Sequence, residues 1–180
     1  MRRIGMIEVV GRSMDIFSDP TRFRRALGDR GSLLAIDVSK RRLGLAGTDP
    51  ERRLVTPLVT LWRGRWQADM ERLALVVRRR EVGGFVVGWP LNMDGSEGVQ
   101  AERARAFATG LVETFGMPVL LQDERLTTFA VEEAIREGRL PKPKRRSAPL
   151  DHYAAAVILE DALRAISEAP VPDPALPGPA

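Results

Sequence analysis

The sequence contains no cysteine and a single histidine, His152. These absences exclude disulfides, thiolate nucleophiles, cysteine-based zinc sites and histidine-rich metal sites. A bound metal would have to be held mainly by oxygen ligands, which favours Mg²⁺ or Mn²⁺. A chain without cysteine also fits a cytoplasmic protein, and we take that location as the expectation.

The sequence also lacks a long hydrophobic run. No segment approaches the roughly 20 apolar residues that a membrane helix needs, so we expect no membrane partner. Glu8, Arg12 and Asp15 interrupt the N-terminal segment, which argues against a secretory signal. The 180 residues, of which 44% are hydrophobic and 29% charged, are typical of a soluble domain with a core of its own.

The charge is biased toward the basic side, with a formal net charge of +4. This bias is compatible with a nucleic-acid partner. Basic side chains cluster in the turn at 40–42 and again in the proline-rich stretch KPKRR at 142–146. Lysine and arginine in such clusters could hold phosphates.

Apolar patterning predicts an α/β domain with a mixed five-stranded sheet. Three consecutive strands joined by short polar turns favour an antiparallel meander, and later strands that alternate with helices favour parallel pairing. The predicted strands span residues 33–38, 43–48, 54–61, 82–89 and 117–122, and the predicted helices span 21–27, 65–80, 96–115, 127–138 and 150–168. The first helix follows Asp19-Pro20, an N-cap residue with proline at the first helical position.

Three carboxylates stand at the ends of predicted elements. Asp37 ends the first strand, Glu124 follows the last strand, and Asp151 opens the last helix. Ligands of open α/β sheets collect at one edge of the sheet, and carboxylates that converge there repel one another unless a cation is present. With one or two Mg²⁺ ions, such a cluster could activate water and stabilise the leaving oxygen in phosphodiester hydrolysis.

Each of these carboxylates also has a purely structural interpretation. Asp151 could be a helix N-cap, and Glu124 could pair with a surface cation such as Arg125. Asp37 is the hardest to explain in this way, because the residues before it are apolar. In the loop at 90–98, Asn92 and Asp94 could contact substrate or simply form a turn.

The three tryptophans have two possible uses. Trp62, Trp66 and Trp89 could stack on nucleic-acid bases, although packing in the core is the commoner use of each.

At these residues the chain resembles the YqgF/RuvX family of ribonuclease H-like nucleases. LLAIDVSKRRLGLAGTDP is similar to the first strand and turn of the family, and VVGWPLNMDGSEG to its most recognisable loop. QDERLTT and LDHYAAAVIL are similar to its last two acidic motifs. The blocks have the family's order and spacing over about residues 32–167.

The resemblance implies a ribonuclease H-like, three-layer fold with strand order 3-2-1-4-5. The nuclease domain then spans residues 32–168. Residues 1–31 form an N-terminal extension with a short helix, and the proline-rich composition of residues 169–180 predicts a disordered tail. The resemblance also implies a metal-dependent nuclease, an endonuclease in the first instance, in which Asp37, Glu124 and Asp151 are both the catalytic residues and the ligands of Mg²⁺ or Mn²⁺. The candidate contacts to nucleic acid are Lys40, Arg41, Arg42, Asn92, Asp94, Arg125, Lys142, Lys144, Arg145 and Arg146.

Family members are described both as nucleases that mature the 5′ end of pre-16S rRNA and as Holliday-junction resolvases. The expected partner is therefore precursor rRNA, with branched DNA as the alternative, and the expected state is a monomer or homodimer. A non-catalytic nucleic-acid-binding relative is a third hypothesis. An ATPase of the actin-like or sugar-kinase-like kind ranks low, because the chain is too short for two lobes.

The chain departs from the family pattern at three positions. Ala35 and Ser39 stand where the family usually has glycine on either side of its first aspartate, and Trp89 stands where it usually has leucine. Glycine permits tight turns and close substrate approach. Ser39 is therefore the departure expected to alter the turn or to narrow the site.

Overall fold

A six-stranded mixed sheet forms the centre of the structure, a computed structural model that describes residues 15–124, 136, 138 and 150–169. The strands are β1 (Ile16–Phe17), β2 (Ser32–Val38), β3 (Arg42–Thr48), β4 (Val55–Trp62), β5 (Val82–Trp89) and β6 (Val119–Asp123). The helices are α1 (Pro20–Ala26), α2 (Trp66–Arg79), α3 (Val99–Phe115) and α4 (Asp151–Glu168).

The strand order is β1-β6-β5-β2-β3-β4. Strands β2, β3 and β4 form the antiparallel meander, whereas β5 pairs in parallel with both β2 and β6. The order β4-β3-β2-β5-β6 is the 3-2-1-4-5 order that the resemblance implies. The predicted fold class is therefore confirmed.

The sheet has six strands rather than the predicted five. The additional strand, β1, pairs in parallel with β6 through Ile16–Val119 and Phe17–Leu120. A strand of two residues is too short to show the alternation by which strands are recognised in a sequence. Helix α1 follows it, with the Asp19 carboxylate accepting a hydrogen bond from the Thr21 backbone N–H at 2.8 Å, as the predicted cap requires.

Helices cover both faces of the sheet, and strand β2 shows which residues face which side. Leu34, Ile36 and Val38 pack in the core layer beneath α2 and α3. Leu33 and Ala35 pack in the second layer, with residues of α1 and α4. Because side chains alternate along a strand, Asp37 faces the α4 side.

Most element boundaries differ from the prediction, by one to three residues. Helix α3 begins at Val99 rather than at residue 96, because the side chains of Ser96 and Glu97 make hydrogen bonds within the preceding loop and to Trp89. Helix α4 begins at Asp151 rather than at residue 150.

Some predicted segments lie outside the described residues. They are most of the helix at 127–138, the basic stretch at 142–146 and the tail from residue 170 onward. Among the helices that the structure describes, none is long and apolar enough to cross a membrane.

Candidate acidic active site

A row of residues across four strands forms the floor of the candidate site. Asp37 pairs with Gly44 of β3, and Gly44 pairs with Thr60 of β4. On the other side, Ile36 pairs with Val87 of β5, so the next residues along these parallel strands are Asp37 and Gly88. Asp37 therefore lies between two glycines, and residues that pair directly across strands present the same face.

The two glycines make room for the other two carboxylates. A Cβ atom on Gly44 would clash with the backbone carbonyl of Asp151, and a Cβ on Gly88 would lie 2.6 Å from Glu124 Oε1. Glycine in a strand often marks a place where another group approaches closely. Here the absent side chains let α4 and the Glu124 carboxyl lie against the sheet beside Asp37. We call Asp37, Glu124 and Asp151 the acidic corner.

The charges of Asp37 and Glu124 are not compensated by contacts. In the described part of the chain, neither carboxyl makes a hydrogen bond or an ion pair within 4.0 Å. Burial is the largest cause that raises the pKa of Asp37 from 3.8 to about 6, and the charge of Asp151 raises it further, while Arg42 lowers it.

Glu124 is perturbed more strongly. Burial raises its pKa from 4.5 to about 8, and the neighbouring charges of Asp37 and Asp123 add to that rise. Gly88 lies beside Asp37 in the sheet, and the Glu124 carboxyl lies over Gly88, so the two carboxyls are neighbours at the ends of β2 and β6. Two adjacent, half-buried carboxyls favour either a proton or a cation between them.

Asp151 differs from the other two because it has a cation. Arg42 Nε donates to both of its carboxylate oxygens, at 2.9 Å and 3.2 Å. Leu150, not Asp151, is the N-cap of α4, and no side chain caps this helix. The cap interpretation of Asp151 is therefore not what the structure shows. The start of α4 is fixed instead by His152, whose Nδ1 lies 2.9 Å from Thr60 Oγ1.

The acidic corner is not a closed metal site. Across residues 15–124 and 150–169, no group of three or more His, Asp or Glu side chains is drawn together closely enough to hold a metal ion. The donor set nevertheless fits a hard divalent cation, because Asp37 and Glu124 present carboxylate oxygens that no cation pairs with. Asp151 is the third oxygen donor, and it is held by Arg42.

Ser39 closes the turn between β2 and β3. Its backbone N–H and its hydroxyl both donate to the Arg42 carbonyl, and the Arg42 N–H donates back to the hydroxyl at 3.0 Å. Arg52 and Glu81 are the non-glycine residues with positive φ among those described, so Ser39 does not need the conformational freedom of glycine. Ala35 is fully buried in the layer beneath α4.

The predicted substrate contacts in the loop at 90–98 hold the loop together. Asp94 Oδ1 accepts from the Ser96 N–H at 2.9 Å and from its hydroxyl, and Asn92 Nδ2 donates to Ser96 Oγ at 2.9 Å. These bonds to Ser96 also lower the pKa of Asp94. The turn-forming interpretation of both residues is observed.

The predicted basic contacts divide into two groups. Lys40 and Arg41 are exposed in the turn after Asp37, whereas Arg42 is engaged with Asp151. Five others lie outside the described residues, namely Arg125, Lys142, Lys144, Arg145 and Arg146.

The sequence reasoning missed the contributions of Gly44 and Gly88. Their signal was available, because each is a glycine inside an apolar strand, where it weakens the strand unless something approaches closely. Packing in the core was the expected use of Trp62, and this prediction is wrong, because Trp62 is 60% exposed at the end of β4.

Comparisons with known proteins identify the family of this chain. A family model described as "RuvX: Holliday junction resolvase" matches residues 31–165. A relative from Rhodobacter capsulatus is 42% identical over 141 residues, which is 78% of this chain and 88% of the relative. A Bradyrhizobium relative is 43% identical over 135 residues, covering 75% and 83% of the two chains. Both carry the name "Putative pre-16S rRNA nuclease".

One solved structure similar to this chain is "T. thermophilus RuvC in complex with Holliday junction substrate". It is 16% identical with a TM-score of 0.48, and the match covers 77% of this chain and 96% of the other. The family model and the relatives each span about three quarters of the sequence. The chain therefore belongs to the RuvX family.

Proposed function

We propose that this chain is a metal-dependent nuclease that hydrolyses phosphodiester bonds at the 5′ end of precursor 16S rRNA. The observation that carries the proposal is the pair Asp37 and Glu124, two neighbouring half-buried carboxyls at the carboxyl edge of the central strands that form no ion pair within the described part of the chain. The names of the similar relatives supply the substrate. A cytoplasmic location fits this role.

In this proposal the acidic corner holds Mg²⁺ or Mn²⁺ through Asp37, Glu124 and Asp151. A divalent ion in such a site supplies activation of a water molecule and stabilisation of the leaving oxygen. The chain contributes the positions of the oxygen donors: β2 fixes Asp37, the end of β6 fixes Glu124, and the Thr60–His152 contact fixes the start of α4. Burial strengthens every charge interaction at this corner.

The exposed basic turn supplies contacts to the backbone of the substrate. Lys40 and Arg41 follow Asp37 by three and four residues, and both side chains are open to solvent. Cations at this position neutralise phosphates next to the reacting bond. Five further candidate contacts remain in the proposal on the basis of the sequence alone, namely Arg125, Lys142, Lys144, Arg145 and Arg146.

Cleavage of a precursor rRNA tests the proposal directly. Purified protein with Mg²⁺ or Mn²⁺ should shorten a 16S rRNA that carries its 5′ extension, and Asp37→Asn should not. Asp161→Asn is the matched control, because Asp161 lies on α4 ten residues beyond Asp151 and pairs with Arg164. Equal cleavage by wild type and Asp37→Asn would refute the assigned chemistry.

A four-way DNA junction is the second candidate substrate, because the matching family model is described as a Holliday junction resolvase. A resolvase should be a two-fold dimer that makes paired cuts in a junction. Cleavage of the junction and of the precursor rRNA should be compared at equal enzyme concentration. A strict monomer without preference for the junction would argue against the resolvase, and precursor rRNA would remain as the candidate substrate.

A non-catalytic role in nucleic-acid binding is separated from both by calorimetry. Retained affinity for RNA together with no binding of Mn²⁺ would favour that role and would overturn the nuclease proposal.

A further inference from the structure

Trp62 is a large apolar side chain in an unusual place. It is the last residue of the edge strand β4, and 60% of its surface is exposed. It pairs across strands with Arg42 of β3, two residues from the pair formed by Gly44 and Thr60. Trp62 and Arg42 therefore share the sheet face that carries the acidic corner.

Helix α4 begins just short of this tryptophan. Asp151, the first residue of α4, lies over Gly44, and His152 contacts Thr60. The next pair along the two strands, Arg42 and Trp62, lies beyond the start of the helix. This position explains why the indole is exposed while the residues beneath α4 are buried.

Arg42 links the indole to the acidic corner. Its guanidinium carbon lies 5.6 Å from the centre of the Trp62 ring, and its Nε donates to Asp151. An arginine at this distance forms a cation–π contact. One guanidinium thus separates an exposed aromatic ring from a proposed metal ligand.

The surface around Trp62 is basic. The backbone N–H of Arg63 donates to the Arg41 carbonyl at 2.9 Å, which places the end of β4 against the turn that carries Lys40 and Arg41. Both of these side chains are exposed. An aromatic ring beside cations is the arrangement that binds single-stranded nucleic acid, because bases stack on the ring while phosphates meet the cations.

The other tryptophans have structural partners. Trp66 packs edge-on against Phe107, with ring centres 5.3 Å apart, and its ring lies against Gly110. Trp89 Nε1 donates to Glu97 at 2.8 Å, and the guanidinium of Arg105 lies over its ring. Trp62 has the Arg42 contact and no other ring contact among the residues described.

We propose that Trp62, with Arg42 beside it, is a stacking platform for an unpaired base of the nucleic-acid strand that enters the acidic corner. The inference rests on the proposed function and deepens it. It assigns the enzyme a substrate with at least one unpaired nucleotide next to the cut, and it makes a fully paired duplex the poorer ligand.

Binding without metal tests the platform separately from cleavage. Fluorescence anisotropy in EDTA should be measured with a labelled single-stranded RNA, the same sequence as DNA, and a blunt duplex. Trp62→Ala should weaken binding of the single strands about 10-fold or more, because that is the range for loss of one base–aromatic stack. Trp62→Phe should retain more affinity than Trp62→Ala, since phenylalanine keeps a ring.

Leu54→Ala is the matched control, because Leu54 is 69% exposed just before the other end of β4. It should leave all three affinities unchanged, and thermal unfolding should show that each variant is folded. Tryptophan emission gives a second readout. Single-stranded RNA should quench wild type more than Trp62→Phe, because the difference reports Trp62 alone.

The outcomes separate this inference from the proposed function. Wild-type affinity in Trp62→Ala, with rRNA cleavage intact, would overturn the platform and leave the nuclease proposal standing. An equal loss for duplex and single strand would also overturn it, because the faces of bases inside a duplex are covered by the neighbouring base pairs. An altered oligomeric state with unchanged RNA affinity would assign Trp62 to a protein contact instead. A wild type that binds none of the probes would overturn the platform, and cleavage of precursor rRNA with Mg²⁺ or Mn²⁺ would then decide the nuclease proposal separately.

Discussion

Two acidic sites lie on opposite sides of the sheet, and they differ in how their charge is compensated. Asp69, in the first turn of α2, is 1% exposed. Its Oδ1 accepts from the Gly64 N–H at 3.0 Å and from Arg72, and Arg63 Nε lies 4.0 Å from its Oδ2. The partners of Asp69 thus come from residues close to it in the chain.

The acidic corner is built differently. Asp37, Glu124 and Asp151 come from distant parts of the chain, and the Arg42 cation serves Asp151. Asp37 and Glu124 have raised pKa values, about 6 and about 8, because burial and the charges of neighbouring aspartates oppose their ionisation. A carboxylate with local cations stabilises the fold, whereas carboxyls assembled without one are candidates for function.

The largest expected effect is on catalysis. Glu124→Gln removes the carboxyl that would ionise to bind the metal while keeping the shape of the side chain. Cleavage of precursor rRNA should fall more than about 100-fold, since residues that merely support a metal ligand already cost about 10- to 100-fold. Glu113→Gln, on the exposed face of α3, is the control and should cleave as wild type does. Loss of less than about 10-fold in Glu124→Gln would contradict its assignment.

For Asp69, on the other side of the sheet, we expect a mutation to act on stability rather than on cleavage. Asp69→Ala leaves two arginines without their carboxylate, and it should lower the free energy of unfolding by about 3 kcal/mol, the lower end for breaking a buried pair. We choose the lower end because Arg72 and Arg63 can reach solvent. Urea unfolding measures the change, with the exposed Glu71→Gln as control. A change below about 1 kcal/mol would show that Asp69 is not the compensated site described above.

These two sites also show what the sequence can and cannot reveal. The strand order was predictable from the resemblance to recognisable family blocks. The position of Asp37 at the end of a strand was predictable because an apolar run of strand length leads to this lone carboxylate. Strand β1 was not, since two residues carry no periodicity. A glycine inside an apolar strand signals that some group approaches closely at Gly44 and Gly88, but a pattern along one strand does not say which group it is. The Arg42–Asp151 pair joins residues 109 positions apart, so spacing alone could not reveal it.

The pH dependence of stability should distinguish the two regions further. The folded-state pKa values of Asp37 and Glu124 lie above their ordinary values of 3.8 and 4.5. The stability that these groups contribute is therefore present below about pH 4 and is lost as the pH rises through about 6 for Asp37 and about 8 for Glu124.

Urea unfolding in EDTA at pH 5 and pH 8 measures this loss. Wild type should lose more stability between the two pH values than Glu124→Gln, by on the order of 1 kcal/mol. Saturating Mn²⁺ at pH 8 should restore stability in wild type, because a cation at the acidic corner replaces the proton. Identical pH profiles of the two proteins would contradict the raised pKa of Glu124.

The smallest expected effect concerns the cation of the acidic corner. Arg42→Gln frees the Asp151 carboxylate, so Mn²⁺ should bind about 2- to 5-fold more tightly, which corresponds to the strength of a partly exposed ion pair. Calorimetry without nucleic acid measures this affinity separately from any role of Arg42 in substrate binding. Arg164→Gln, which breaks an ion pair at the far end of the same helix, should leave the affinity unchanged. Weaker binding of Mn²⁺ by Arg42→Gln would show that Arg42 does not compete with the metal.

Proton release on metal binding tests the central claim most directly. Mn²⁺ should be titrated into metal-free protein at pH 7 in buffers of different ionisation enthalpy, so that the number of protons released can be calculated. A carboxyl with a pKa of about 8 is mostly protonated at pH 7, so wild type should release a substantial fraction of one proton per bound ion. Glu124→Gln should release far less and bind more weakly. Binding without proton release, or equal binding by both proteins, would contradict the assignment of the acidic corner as the metal site.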